Sequence, residues 1–222
     1  MIKLFFDIET IPSSDEHKDF HVEILKKKNK NNSNGKKKEK LTDEKIHLST
    51  SFEGTFGRIC CIGIIKEGDR GIVQKEVISG DEKEILTKFW KAAADVDRFI
   101  GHNVWAFDLP FIYKRSIIHG VKTKYLNFAR YRNLPIYDLQ QEWELWNFGK
   151  MQKLDTLAKV LGLPSSKDEM DGSMVWPYYK EGRLDEIYKY CMKDVELTRQ
   201  VYYKMTFEDA PIGEAEKEEI SF

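Results

Sequence analysis

Two acidic residues near the start of the chain are spaced so that they could bind a cation together. Asp7 and Glu9 lie two residues apart in a segment, Ile2 to Glu9, whose apolar side chains alternate with others. This alternation predicts a β-strand, on which residues two apart project from one face, roughly 7 Å from each other. Adjacent carboxylates repel unless protons or cations neutralise them, and their hard oxygen atoms suit Mg²⁺ or Mn²⁺. Two solvated acids at a strand edge are the alternative, because Asp-x-Glu is a common pattern.

Two further acids occur in predicted helices. Asp108 stands at the start of a helix expected from about Phe107 to His119, where a negative charge is also favoured by the helix dipole. Asp194 lies on an apolar stripe of the last helix, expected from Leu184 to Met205, and a carboxylate there is costly without a partner. Tyr190 stands four residues earlier and projects from the same side. A structural contact between Tyr190 and Asp194 is the alternative, but the apolar surroundings favour an ion as the counter-charge.

The elements that must position these acids predict an α/β fold, a mixed sheet of about five strands flanked by helices. Antiparallel strands joined by a tight turn come first, and strands that alternate with helices follow. Asp81 is expected to cap the first of the helices that alternate with these strands. The remaining strands are expected at Arg58–Lys66, Gly71–Ser79, Arg98–Gly101 and Leu134–Asp138, and the remaining helices at Asp81–Ala94 and Lys153–Leu161.

Composition is that of a globular protein. Hydrophobic residues make up 41% of the 222 positions, which is enough for one domain with a full core. No uninterrupted run of about 18 apolar residues occurs, so no membrane span is expected. The acidic first segment does not look like a secretory signal. Three cysteines, two of them adjacent, make a poor disulfide framework and favour a reducing cytoplasm.

Residues 13–50 are expected to form a lysine-rich insertion. A short helix is predicted from Asp15 to Lys28, followed by a turn-prone, low-complexity stretch. Lys26 to Lys40 holds eight lysines and one glutamate, a local charge of +7, so the rest of the chain carries −8 within a total of −1. This acidic remainder argues against broad electrostatic binding of a polyanion, although bound cations would offset part of it. The tail at 208–222 is expected to be acidic and loose.

Three segments, taken in order, resemble the exonuclease motifs of the DEDDy 3′→5′ exonucleases, which have a ribonuclease H-like fold. They are Phe6-Asp7-Ile8-Glu9-Thr10, Asn103 with Phe107-Asp108, and Tyr190-x-x-x-Asp194. The second is especially similar to the proofreading domain of family B DNA polymerases and its free-standing relatives. A histidine-type variant would carry His where this chain has Lys189, so Tyr190 indicates the tyrosine subtype. His102 is then expected to be a loop residue rather than a catalytic base.

The resemblance implies a metal-dependent 3′→5′ exonuclease that releases 5′-mononucleotides from single-stranded ends. Two divalent cations, Mg²⁺ or Mn²⁺, would be held by the four acids. Asp7 would bridge both ions, Glu9 and Asp194 would complete one site, and Asp108 would hold the second, partly through water. Tyr190 would orient the attacking water, since a phenol with an ordinary pKa near ~10 is too weakly acidic to act as a strong base.

Substrate contacts follow from the same resemblance. Thr10 is expected to contact the terminal nucleotide, and Asn103 the backbone or base of the strand. Trp105 and Phe107 are candidates for stacking on frayed bases, with core packing as the alternative. The other tryptophans considered, Trp143, Trp146 and Trp176, are expected to be structural.

The preferred function is a nuclease acting on single-stranded DNA, in a domain at 1–207 without an attached polymerase. RNA 3′-end trimming is a close alternative, because only a contact with the 2′-OH would distinguish the two substrates. A non-catalytic nucleic-acid-binding module is a third interpretation. The presence of all four acids and Tyr190 argues against it, because binding does not require them.

The lysine-rich stretch is either a solvated loop, its default interpretation, or a tethered basic arm that concentrates nucleic acid near the protein. If it is an arm, deletion of Lys26 to Lys40 weakens oligonucleotide binding and flattens its salt dependence, because fewer counterions are released. Binding isotherms at several salt concentrations measure both quantities. Unchanged affinity and slope would show that the loop is inert.

Overall fold

The computed structural model describes residues 1–31, 42–147, 149, 151–164 and 170–211. At its centre is a five-stranded sheet of order β3-β2-β1-β4-β5. The first three strands pair antiparallel, and β4 and β5 continue from β1 in parallel. This confirms the predicted mixed α/β sheet. The strands are β1 Lys3–Ile11, β2 Arg58–Gly68, β3 Gly71–Ser79, β4 Arg98–Gly101 and β5 Ile136–Asp138.

Helices cover both faces of this sheet. The long helices lie within a few residues of their predicted bounds, and Asp81 accepts a hydrogen bond from the Lys83 N–H as the expected N-cap. Three short helices, α2, α5 and α7, were not anticipated, because five to seven residues are too few to show a helical period. The helices are α1 Lys18–Asn31, α2 Asp43–Ser49, α3 Glu82–Ala92, α4 Asp108–Ile118, α5 Leu139–Trp143, α6 Leu154–Val160, α7 Val175–Lys180 and α8 Leu184–Thr206.

The alternation in β1 divides the core into two sides. Leu4, Phe6 and Ile8 join one apolar cluster with α3 and α4. Phe5, on the opposite face, packs with α6 and the C-terminal half of α8. Because side chains alternate along a strand, Asp7 and Glu9 share the Phe5 face and therefore lie on the α8 side of the sheet.

Helix α8 packs closely on β1 and β2, with both of its predicted apolar stripes buried. The close approach depends on Gly63, which pairs with Asp7 across the sheet. A Cβ at that position would lie 2.9 Å from Val195 Cγ2 and 3.0 Å from Cys191 Sγ. The glycine thus sets how near α8 comes to the acidic face of β1.

The described part of the insertion is a helical pair rather than a loop. Val22 and Leu25 of α1 form a small buried cluster with Ile46 of α2, and Phe56 packs against it. The Ser13 N–H donates to Thr50 Oγ1 at 2.9 Å, which joins the two ends of the insertion. Half of the eight lysines of the predicted cluster lie outside the described residues, since these omit 32–41.

A buried polar network fastens the end of β2 to α8. Glu67, 1% exposed, accepts hydrogen bonds from Arg199 and from the Tyr203 hydroxyl. Nearby, Lys3 pairs with Glu208 at 2.5 Å. This ion pair is the contact of the tail with β1, and the loose tail stays a prediction. Residues 212–222 lie outside the described part. Among the described helices, none has the length and apolar character needed to cross a bilayer.

Replacing Gly63 with Ala tests how tightly α8 is packed. We expect Gly63→Ala to lower the free energy of unfolding by roughly 1–3 kcal/mol, because the added methyl group overpacks a filled interface. Urea denaturation measures the change. Gly68→Ala, on the same strand, is the matched control, since its nearest neighbour would be Val73 Cγ1 at 3.9 Å. Equal stability of the two variants would contradict the close approach.

Candidate functional site

The acidic face of β1 ends at an irregularity in the sheet. Asp7 pairs with Gly63 and Glu9 with Cys61, and a β-bulge then shifts the register between Glu9 and Thr10. Bulges locally bend a strand and change the direction of its side chains. Ligand atoms of Asp7, Glu9 and Cys191 lie within 4.8 Å of one another. The two predicted carboxylates therefore come together, next to a thiol that sequence reasoning did not include.

Asp108 is brought to the same place by its position at the start of α4. It is 4% exposed, and its Oδ1 accepts a hydrogen bond from the Ile8 N–H at 3.2 Å. Ile8 lies between the two acids of β1, so the N-terminus of α4 meets β1 where Asp7 and Glu9 project. Asp108 can therefore stand at the helix N-terminus, where the dipole favours it, and still lie beside these acids.

The loop before α4 is held by Asp138, a residue that sequence reasoning missed. Its carboxylate, 1% exposed, accepts hydrogen bonds from the Asn103 N–H at 3.0 Å and from the Trp105 N–H at 2.9 Å. It also caps α5 by accepting from the N–H groups of Gln140 and Gln141. An Asp between a strand and a helix is the available sequence signal, but it predicts only the cap.

Helix α8 contributes Tyr190 and Asp194. Tyr190 is 8% exposed, and burial raises the pKa of its phenol far above the ordinary value. Asp194, Glu9 and Asp7 raise the pKa further, and a side-chain hydrogen bond joins Tyr190 to Asp194. The phenol therefore stays protonated at neutral pH. It can orient a bound molecule but cannot serve as a base.

The four acids interact electrostatically as one group. Burial raises the pKa of Asp7 well above its ordinary value, and Cys191, Asp108, Glu9 and Asp194 each add to the shift. Burial also raises the pKa of Glu9, with Cys191 and Asp194 as the next causes. For Asp108 burial raises the pKa from 3.8 to about 7. Without cations, the folded protein thus favours protonated acids.

This donor set fits divalent cations. Its carboxylate oxygens are hard ligands, and positive charge would relieve their mutual repulsion. Glu9 and Asp108 are buried, whereas Asp7 and Asp194 are half-buried. Cys191 Sγ lies 3.9 Å from Asp7 Oδ2 and adds a softer, buried atom beside them.

A known family matches most of this chain. It is described as "Predicted 3′-5′ exonuclease related to the exonuclease domain of PolB", and it matches residues 51–221. The chain belongs to this family. The matched range holds Asp108, Tyr190 and Asp194, but not Asp7 and Glu9. That these two belong with the others rests on the geometry of β1.

Individual DNA polymerases are also similar to this exonuclease-family chain. The DNA polymerase of Archaeoglobus fulgidus is 23% identical over 136 residues, a match that covers 53% of this chain and 17% of the polymerase. The family B DNA polymerase of the archaeon Pyrobaculum calidifontis shares the fold, with a TM-score of 0.61 at 16% identity. That match covers 93% of this chain and 24% of the polymerase chain. This member of the exonuclease family thus spans less than a quarter of either polymerase.

The residues predicted to contact the substrate lie next to the acids in the chain: Thr10 follows Glu9, and Asn103, Trp105 and Phe107 precede Asp108. Thr10 Oγ1 donates to the Ser51 carbonyl oxygen at 2.7 Å. Asn103 adopts a left-handed backbone with φ of 61°, and its side-chain oxygen is buried without a hydrogen-bond partner among the described residues. Trp105 and Phe107 are each partly buried against the core. This agrees with the alternative in which the two side chains pack in the core instead of stacking on bases.

His102 lies in the loop after β4, as expected for a residue that is not the base. Its Nε2 is 2.9 Å from the Gln152 carbonyl oxygen. Burial lowers the pKa of His102 to about 4, so the ring is neutral at physiological pH. Of the tryptophans expected to be structural, Trp146 and Trp176 pack on aromatic neighbours, whereas Trp143 is 39% exposed.

The raised pKa of Asp108 predicts how stability changes with pH when a chelator is present. Folded Asp108 keeps its proton up to about pH 7, whereas the unfolded chain releases it near 3.8. The folded state then binds more protons within this window, so its stability falls as pH rises from 4 to 7. In EDTA at pH 8 we expect Asp108→Asn to raise the free energy of unfolding by about 1.4 kcal/mol or more, the equivalent of one pKa unit.

Urea denaturation at pH 5 and pH 8 measures both effects. Asp185→Asn, which changes an exposed acid in the first turn of α8, is the matched control because it leaves Asp108 in place. Wild-type stability that stays constant between these pH values would contradict the raised pKa. Added Mn²⁺ should raise the melting temperature of the wild type more than that of Asp108→Asn.

Proposed function

We propose that this protein is a metal-dependent 3′→5′ exonuclease that hydrolyses single-stranded DNA ends to 5′-mononucleotides. The observation that carries the proposal is the convergence of Asp7, Glu9, Asp108 and Asp194 on one site, where the other three each raise the pKa of Asp7. Family membership supports the reaction class. Burying acids against one another is unfavourable unless the site is used with bound cations.

The four acids would hold the cations together. By the resemblance to the DEDDy exonucleases, Asp7 would contribute to both cations, Glu9 and Asp194 to one of them, and Asp108 to the other, partly through water. When bound, two divalent cations supply the positive charge that polarises the scissile phosphate and stabilises the leaving 3′-oxygen.

Tyr190 would position the attacking water rather than deprotonate it. Its phenol is protonated and hydrogen-bonded to Asp194, so its own orientation is fixed. A held phenol oxygen can accept a hydrogen bond from water and align it with the phosphate. This positioning role suits Tyr190, because its phenol does not ionise at neutral pH.

The substrate would enter along the loop that Asp138 fixes. Asn103 stands in a strained left-handed conformation, and its buried side-chain oxygen has no hydrogen-bond partner among the described residues. Asn103 would contact the backbone or base of the strand once its side chain turns out of this buried position. Thr10 lies at the bulge beside Glu9, within reach of a terminal nucleotide. Trp105 and Phe107 would contact bases with the edges that remain exposed.

DNA is the preferred substrate because the related family and both similar proteins are tied to DNA polymerases. RNA trimming differs only in the handling of a 2′-OH, and the assay below therefore includes both strands. Three buried, unpaired cysteines fit a reducing cytoplasm as the compartment.

The proposal is tested with 5′-labelled single-stranded DNA and RNA in the presence of Mg²⁺, Mn²⁺ or EDTA. We expect a ladder of shortened products with either cation and none with EDTA. A phosphorothioate at the 3′-terminal linkage should delay the ladder if cutting starts at that end. Asp7→Ala should lower the rate by about a thousandfold or more, equivalent to roughly 4 kcal/mol of transition-state stabilisation.

Asp185→Ala, an exposed acid on α8, should keep the wild-type rate. Degradation that survives Asp7→Ala would point to a contaminant or to another site. If the wild type degrades neither strand with either cation, the enzyme proposal fails and a binding module becomes the better description.

A further inference from the structure

An aromatic cluster lies beside the loop that leads to Asp108. Trp105 packs edge-on against Trp146 with ring centroids 5.8 Å apart, and Tyr131 lies 5.4 Å from Trp146 on the other side. We call these three residues the aromatic shelf. Tyr131 is 69% exposed, so the cluster has an open end. Sequence reasoning treated Trp146 as structural and did not include Tyr131.

An open cavity of about 490 Å³ adjoins the shelf. It is lined by Tyr131, Arg132, Asn133, Leu134, Glu142 and Trp146. A second arginine, Arg130, stacks over the Trp105 ring with its guanidinium carbon 5.1 Å from the centroid. The acid in the lining is engaged, because Glu142 Oε1 accepts a hydrogen bond from Trp146 Nε1 at 3.2 Å. The cavity lining therefore combines the rings of Tyr131 and Trp146 with the Arg132 guanidinium.

The backbone around the shelf is strained but anchored. Tyr131, Leu145 and Trp146 have φ values of 61°, 50° and 60°, and with Asn103 they make four of the five non-glycine residues with positive φ in the described part of the chain. Such conformations persist only where the surroundings impose them, and they concentrate at binding sites. Residues 119–135 contain no helix or strand. Connections of this length without secondary structure are usually either functional or linker segments.

Two hydrogen-bonded contacts fix this connection in place. Lys124 Nζ donates to the Val96 carbonyl oxygen at 2.6 Å, and Trp105 Nε1 donates to the Phe128 carbonyl oxygen at 3.2 Å. The shelf is thus formed before any ligand binds, which reduces the entropy lost on binding.

The position of the shelf relates it to the carboxylates. β4 and β5 run parallel to β1, so Gly101 and Asp138, at their carboxyl ends, lie at the same edge of the sheet as Asp7 and Glu9. Asp138 holds the Trp105 N–H directly. A strand whose 3′ end lies at the carboxylates can therefore extend along this edge over the shelf.

From this arrangement we propose that the aromatic shelf, with Arg132, binds single-stranded nucleic acid upstream of the scissile nucleotide, bases on the rings and phosphates on the guanidinium. This inference rests on the proposed nuclease function for its direction along the strand. Aromatic stacking accepts any base, so the shelf would confer affinity for unpaired strands rather than sequence preference. A protein partner would not account for its place at the carboxylate edge.

Fluorescence anisotropy of labelled twelve-nucleotide dT and rU strands in EDTA tests binding without cutting. We expect Tyr131→Asn, which tolerates the left-handed backbone, to weaken binding roughly five- to hundredfold, whereas Tyr131→Phe keeps the ring and the affinity. Arg132→Gln should weaken binding and reduce the salt slope by about one. Tyr125→Asn is the matched control, since Tyr125 is 89% exposed on the same connection but does not line the cavity.

Hydrolysis of the p-nitrophenyl ester of thymidine 5′-monophosphate, which is too short to reach the shelf, separates the two proposals. Tyr131→Asn should hydrolyse this ester like the wild type. Wild-type affinity of Tyr131→Asn and Arg132→Gln for both strands would overturn the shelf, as would a wild type that binds neither strand. A wild type that binds strands through Tyr131 yet hydrolyses nothing would support the shelf and reject the nuclease.

Discussion

Mutual repulsion among buried carboxylates is the constraint on which the rest of this structure depends. Asp7, Glu9 and Asp108 lose hydration when the chain folds, and their neighbours are further acids, so each has a raised pKa. A fold that only needed stability would replace such groups with apolar side chains, which often stabilise a core more than buried charges do. Their retention at one place indicates that the free energy is recovered when cations bind.

Several elements are arranged so that this unfavourable cluster can form. β1 supplies two acids from one face, and Gly63 on β2 lets α8 approach that face closely. The Ile8 N–H donates a hydrogen bond to Asp108, at the start of helix α4. Away from the acids, the Glu67 network ties β2 to α8 with buried hydrogen bonds. Tight packing around the site offsets its electrostatic cost and keeps the acids from moving apart.

Much of this arrangement is readable from the sequence, and the missing parts have a common cause. Periodicity identified β1 and both stripes of α8, because these patterns repeat over many residues. The β2–β3 hairpin is predicted from an apolar run and the turn at Gly68–Gly71. The short helices and the bulge after Glu9 leave no periodic signal. The proximity of Cys191 to Asp7 depends on how α8 crosses β1, and Asp138 holds N–H groups 33 and 35 residues away. Such long-range contacts follow from packing, which a single sequence does not specify.

Asp138 connects the loop before Asp108 to the neighbouring segments of the protein. One carboxylate holds the loop that leads to Asp108, carries the Trp105 end of the aromatic shelf and caps α5. Its burial raises its pKa, while the four backbone N–H groups lower it by stabilising the charge. An acid satisfied in this way has little freedom to bind a cation. The protein thus uses carboxylates in two opposite ways: Asp7 and Glu9 lie together on one face of β1 with raised pKa values, whereas Asp138 is fully hydrogen-bonded and fixes the loop before α4.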